Sequence, residues 1–297
     1  MHPTLFTVPG AGWEVQAYGA LMGLALLLGW YVTLRLARAD LLPTDRVGTL
    51  YVVSIVAGIL GGRAHWMLQQ PTPFEWSRLV ALPAGGLSVV GGIFCALVAS
   101  AIYCARARLP WFAVMDCGAP AFSVGVIIER IGAFLAGADF GAYVGPRDVG
   151  YDLAVRYPAG TPVYRFHRVT LDGMDAVSDV ASAPVHPTQL YAAGMAVITL
   201  LVALWLRRRR RFSGQVFFAV FGLYVIARMI VEEPLRYDAV PDLLGPLRTS
   251  MVSALGLCLI LAIAYQLRDS RARREDLQQW RGGPWTPGRE ASQEPAG

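Results

Sequence analysis

The 297-residue chain contains no lysine; all 26 of its basic residues are arginine. That excludes a Schiff-base lysine and with it pyridoxal-type chemistry. Charge of either sign is scarce, at 16% of residues against about a quarter in soluble domains, while 55% are hydrophobic. The shortfall comes from long apolar runs, which point to a polytopic membrane protein. The net charge of +5 is no sign of nucleic-acid binding, because the arginines gather at the ends of those runs. Cys95, Cys104, Cys117 and Cys258 lack CxxC spacing and lie in apolar stretches, where a free cysteine behaves as a small hydrophobe. None sits in an N-terminal lipobox. The opening "MHPTLFTVPGAGWEV" has no basic n-region, so no cleaved signal peptide is expected.

Apolar runs of about 20 residues can cross the hydrocarbon core. Seven are present, at 17–36, 47–68, 85–105, 112–135, 187–206, 214–232 and 248–267. The expected fold is an all-α integral membrane protein of seven transmembrane helices. Arginines follow the first, third, fifth and seventh runs, the fifth as Arg207 to Arg211. Cytoplasmic ends carry such excess positive charge, which puts the N-terminus outside and the C-terminus inside. "RRRRR" reads as a topology anchor with affinity for anionic membrane lipids. Residues 1–267 form the membrane domain. Within it, 136–186 is an extracytoplasmic head loop rich in Gly, Pro, Asp, Arg and aromatics, without helical periodicity and long enough to be functional. Residues 268–297, ending "GGPWTPGREASQEPAG", are expected to be a disordered cytoplasmic tail.

Ionisable residues inside apolar spans are functional-site candidates. They are Arg63 in "GGRAHW", Asp116 in "VMDCGAP", Glu129 and Arg130 in "ERIG", and Arg228, Glu232, Glu233 and Arg236 in "RMIVEEPLR", with His186 at the mouth of the fifth run in "HPTQLY". On the topology above, all but Asp116 fall at the outer level. Arg228 and Glu232, spaced i, i+4, could equally be a plain ion pair on one helix face. Tyr18 and Tyr191 fit interfacial-belt aromatics. Arginines at headgroup depth suit a phosphate, since guanidinium presents forked donors in a low dielectric.

These stretches, in order from "AYGALMG" through "GGR", "GGLSVVGG", "MDCGAP", "RIGAFLAGADFG" and "HPTQLY" to "RMIVEEPLRYD", resemble the prolipoprotein diacylglyceryl transferase family over about three quarters of the chain. The resemblance implies a bacterial inner (plasma) membrane enzyme with its active site toward the outer leaflet. Such an enzyme moves the diacylglyceryl group of phosphatidylglycerol onto the lipobox cysteine thiol of a preprolipoprotein signal peptide, and it needs no metal or organic cofactor. By resemblance, Arg130 and Arg228 match the essential phosphate-site arginines, Tyr18 the N-terminal tyrosine and Gly141 the glycine closing the signature. Arg63 and Arg236 are expected to assist in binding, and His186, Asp139 or Glu232 to serve as the base.

The chain departs from the family at several points. Val90 stands where relatives usually carry histidine or tyrosine. Ala133 and Ala136 replace asparagines. A common acidic position falls at Ala138, next to Asp139. In the last segment Glu232 fits by its distance from Arg228, whereas Glu233 fits by its distance from Arg236. A phospholipid-binding relative that is catalytically weak or inactive is the second reading.

Overall fold

The structure, a computed structural model, describes residues 4–7, 14–70, 76–79, 86–170, 177–236, 242–244 and 247–271. Long helices form where the apolar runs are, because an α-helix pairs its backbone groups within the segment and leaves none unpaired in hydrocarbon. They are α1 Ala17–Ala39, α2 Thr44–Leu68, α4 Val89–Ala107, α5 Trp111–Ala136, α7 Thr188–Arg209 and α8 Gln215–Ala227. Counting the continuation of α8 to Leu235, six helices among the described residues are long and apolar enough to cross a membrane. The seventh expected run is the helix α9, Thr249–Arg271, whose described apolar part is Leu255–Leu267. It enters the predicted tail by four residues; 272–297 lie outside the described residues. Two short hairpins flank the bundle: β1 Thr4–Thr7 pairs with β2 Glu14–Gln16, and β3 Asp242–Leu244 with β4 Leu247–Arg248. The short helix α3 is Trp76–Leu79.

Helix α4 starts at Val89, later than the apolar run implied. Ser88 is extended, and its hydroxyl meets Nδ1 of His65 at 2.7 Å, so it does not cap the helix. α2 lies along α4 and α1 along α5, while α5 also packs on α7 and α8. The α2–α4 contact is close because glycines face each other; a Cβ on Gly91 would stand 2.7 Å from the carbonyl oxygen of Gly61.

The head loop contains an element that its composition concealed. Residues Pro162–Thr170 form helix α6, contrary to the expectation of no helix there. Proline at the first helical position suits a helix start, and Thr161 Oγ1 accepts the Tyr164 amide at 3.4 Å. With only nine residues, the helix is too short for its apolar period to stand out in sequence. It buries Val163 and His167, and the head core gathers Phe140, Tyr157, Val163 and Val185. Burial holds the His167 imidazole below its usual pKa.

At the other pole, helix ends converge on Asp40. Arg210 grips its carboxylate with both terminal nitrogens, at 2.8 and 3.2 Å, and Arg207 Nη2 lies 2.5 Å away. The Cys117 thiol also donates to Asp40, at 3.2 Å. Asp116 is fully buried and accepts the amides of Gly214 (2.8 Å) and Phe217 (2.9 Å), capping α8. Two sequence expectations are thereby refined. Arg207 and Arg210 turn inward as structural partners, beyond a simple topology anchor, and Cys117 does more than fill apolar space. Asp116 satisfies orphan amides at a helix start, which explains a carboxylate in that span without a catalytic role.

Candidate active site

Arg130 sits two turns before the end of α5, its side chain only 8% exposed. Glu232 approaches it most closely, with Oε1 3.1 Å from Nη1. Glu129 Oε2 lies 3.2 Å from Nε, near enough to pair but off the N–H direction. Asp139 Oδ2 lies 3.4 Å from Nη1. From α1, the Tyr18 hydroxyl reaches Glu129 at 3.4 Å. Asp116 and Arg130 are 14 residues apart on α5, so the two polar poles are separated by about 21 Å of helix.

α8 ends in a wide π turn over Arg228–Glu232, followed by a 3₁₀ turn at Glu233–Leu235. A π turn holds one residue more than an α turn. Geometry favours Glu232 as the shared carboxylate: besides Arg130, its Oε1 lies 3.9 Å from Nη1 of both Arg228 and Arg236. Glu233 pairs with Arg228 Nε at 3.3 Å. The i, i+4 pair of Arg228 and Glu232 thus exists, but it is looser than the contact between helices.

The segment after α5 closes the site. Gly137 ends the helix with left-handed backbone (φ 69°), and Asp139 is left-handed too, at φ 50°, a conformation that Asp tolerates better than bulkier residues. Buried Thr188 and Gln189 pin this turn, Thr188 Oγ1 to the carbonyl of Asp139 (3.0 Å) and Gln189 Nε2 to that of Ala138 (2.6 Å). Gly141 pairs with two segments at once: its amide donates to His186 O at 3.1 Å, and it bridges to Arg236. His186 has its imidazole against Gly150, with Nδ1 buried and unpartnered. Burial holds its pKa below the usual range, and Asp148 pulls the other way.

Beside these charges a narrow, partly open apolar recess lies between α5, α7 and α8. Phe122, Val126, Ala192, Ala196 and Thr199 form part of its wall, and Glu232 lines it as well. Tyr224 and Arg228 line the recess together. Tyr224, Thr188 and Gln189 were not singled out from sequence. Gln189 and Thr188 lie within a motif that was, but a polar pair starting an apolar helix reads as an ordinary cap.

A family model for prolipoprotein diacylglyceryl transferase matches residues 3–267. The chain belongs to the prolipoprotein diacylglyceryl transferase family. It is 28% identical over 266 residues to the phosphatidylglycerol–prolipoprotein diacylglyceryl transferase of Finegoldia magna, covering 86% of this chain and 93% of the relative. The enzymes of the same name from Thermus thermophilus and Thermosynechococcus vestitus are each 29% identical, over 86% and 84% of this chain and 94% and 89% of theirs.

The family departures acquire a structural meaning. Ala133 is fully buried in α5, so its place is filled. Asp139, one position beyond Ala138, brings a carboxylate to Arg130. Val90 lies at the start of α4 with 70% of its surface exposed. Arg63 donates to the Gly86 carbonyl at 2.9 Å and stacks 4.9 Å from the Trp66 ring.

Proposed function

We propose that this chain transfers the diacylglyceryl group of phosphatidylglycerol to the thiol of a lipobox cysteine in a preprolipoprotein, releasing glycerol phosphate. The observation that carries the reading is the recess: an apolar slot between helices that ends at Arg228 and Glu232, with Arg130 paired to the same Glu232. A phospholipid needs both halves, hydrocarbon for its acyl chains and forked cations for its phosphate.

The peptide thiol, with an unperturbed pKa of about 8.5, loses its proton near the arginines, which favour the thiolate. The sulfur attacks the glyceryl carbon that bears the phosphate, and the carbon–oxygen bond breaks. The leaving phosphate passes from one negative charge to two as it departs. Arg130 and Arg228, already fixed in place, stabilise that added charge in the transition state. Arg236 supports them through Glu232, and Gly141 holds Arg236 and His186 in register. Arg63 is assigned to the packing of α2 on α4 and a supporting role in lipid binding. The head, with α6, guides the peptide.

The site faces the outer leaflet of the inner membrane, in a chain that crosses it seven times with N-terminus outside and C-terminus inside. The arginine-rich ends of α1, α4, α7 and α9 support that orientation. A reporter fused after Leu267 is expected to read as cytoplasmic; periplasmic activity would reverse it.

The function is tested with purified protein, phosphatidylglycerol and a lipobox peptide. The expected result is a thioether-linked diacylglyceryl peptide and an equivalent of glycerol phosphate. Lipid binding without any thioether would overturn transfer and leave a phospholipid-binding protein.

A further inference from the structure

We propose that Asp139 is a displaceable counterion. The phosphate of the incoming phospholipid takes its place on Arg130, and the released carboxylate then accepts the proton of the peptide thiol. This rests on the transferase reading above and specifies how that site is loaded.

The charge inventory motivates it. Among the described residues, the paired groups of the site are three guanidiniums, Arg130, Arg228 and Arg236, and four carboxylates, Glu129, Asp139, Glu232 and Glu233. A phosphodiester anion adds another negative charge to a cluster that already has a surplus. Like charges at this separation repel strongly in a low dielectric, so one carboxylate must leave the arginines when the lipid binds.

Exposure selects which one. The side chains of Glu232, Glu233 and Glu129 are 6%, 14% and 19% exposed, and that of Asp139 is 44%. Asp139 is also the most distant of the three carboxylates around Arg130, at 3.4 Å against 3.1 and 3.2 Å. Turning it into water costs little, because an exposed ion pair is worth little. Its backbone stays put, since Thr188 and Gln189 hold the carbonyls of Asp139 and Ala138. The exchange is therefore a side-chain rotation at a fixed turn.

The released carboxylate stays within one side-chain length of Arg130, and so of the phosphate. It takes the proton from sulfur as the sulfur–carbon bond forms and the carbon–oxygen bond breaks. The electron pair of that broken bond leaves on glycerol phosphate. The proton passes from Asp139 to water, and the carboxylate returns to Arg130 once the product has gone.

Asp139→Asn keeps the shape and removes both the competing charge and the base. Binding of phosphatidylglycerol, measured in nanodiscs without peptide, is expected to tighten about two- to fivefold. Turnover is expected to fall about a hundredfold or more. Asp139→Glu, which keeps the charge, should bind as the parent does and retain part of the turnover. If Asp139 merely braced Arg130, the Asn variant would bind lipid more weakly. Weaker or unchanged binding in a folded Asn variant, or turnover within about twofold of the parent, overturns the proposal. The binding comparison needs no catalysis. A parent that binds lipid but forms no thioether would therefore fail the transferase reading while the displacement is still measured.

Discussion

Arg130→Ala is expected to abolish transfer while the protein still inserts into the membrane. The substitution removes the guanidinium shared by Glu129, Asp139 and Glu232. Losing one preorganised contact to a developing negative charge costs about 10²- to 10³-fold in rate. Here three carboxylates would also face the phosphate without that cation between them, so the loss should lie at or beyond the upper end. Breaking a buried ion pair costs about 3–5 kcal/mol of stability, which makes a control necessary. Arg130→Lys keeps the charge but not the fork; it should restore stability and only part of the activity. Arg228 is more exposed, at 29% of its side chain. Arg228→Ala should therefore lose transfer with a smaller stability penalty. Membrane levels and thioether formation are measured side by side. Transfer within about tenfold of the parent in Arg130→Ala, at equal protein levels, would remove Arg130 from the phosphate site.

The second large effect is expected from a single methyl group. In Gly141→Ala the new Cβ would lie 2.5 Å from His186 O and 2.9 Å from Leu235 O, both backbone atoms. Neither can rotate aside as a side chain would. The hydrogen bonds around them, Gly141 N to His186 O at 3.1 Å and Ala142 N to Leu235 O at 2.6 Å, tie the same strands together. Relief requires the His186 segment and the Leu235–Arg236 segment to part. Overpacking of this kind costs about 1–3 kcal/mol, and misplacing a positioned group by about 1 Å costs about a hundredfold in rate. The variant should remain folded in detergent, with a lowered melting temperature and a larger loss of transfer. Parent-like turnover would show that Gly141 spaces nothing that matters to catalysis.

Much of the membrane architecture was legible in the residues because hydrocarbon imposes one dominant rule, about 20 apolar residues per crossing. Boundaries of the long helices fall within a few residues of the apolar runs, and the late start of α4 traces to Ser88 bonding His65. Contacts far apart in the chain could not be read that way. Asp40 finds Arg210 across 170 positions, and Asp116 caps a helix that begins about a hundred residues later. Single-sequence periodicity has no access to such pairings. The candidates Arg130, Arg228, Glu232, Asp139 and Arg236 stood out because a charge in an apolar run is costly, and they do converge. Gln189 and Tyr224 stayed hidden because an amide or a phenol near a membrane interface is ordinary. The π turn at Arg228–Glu232 stayed hidden too, because it differs from an α turn by a single residue.

The Asp40 cluster also has a mechanical consequence. It clamps α1, α5, α7 and the start of α8 at one end, while the recess opens toward the other. Rods clamped at one end separate by pivoting, so displacement grows with distance from the clamp. Any widening that admits a lipid is then greatest at the mouth, where Arg228 and Glu232 stand, and smaller deeper in, at Thr199.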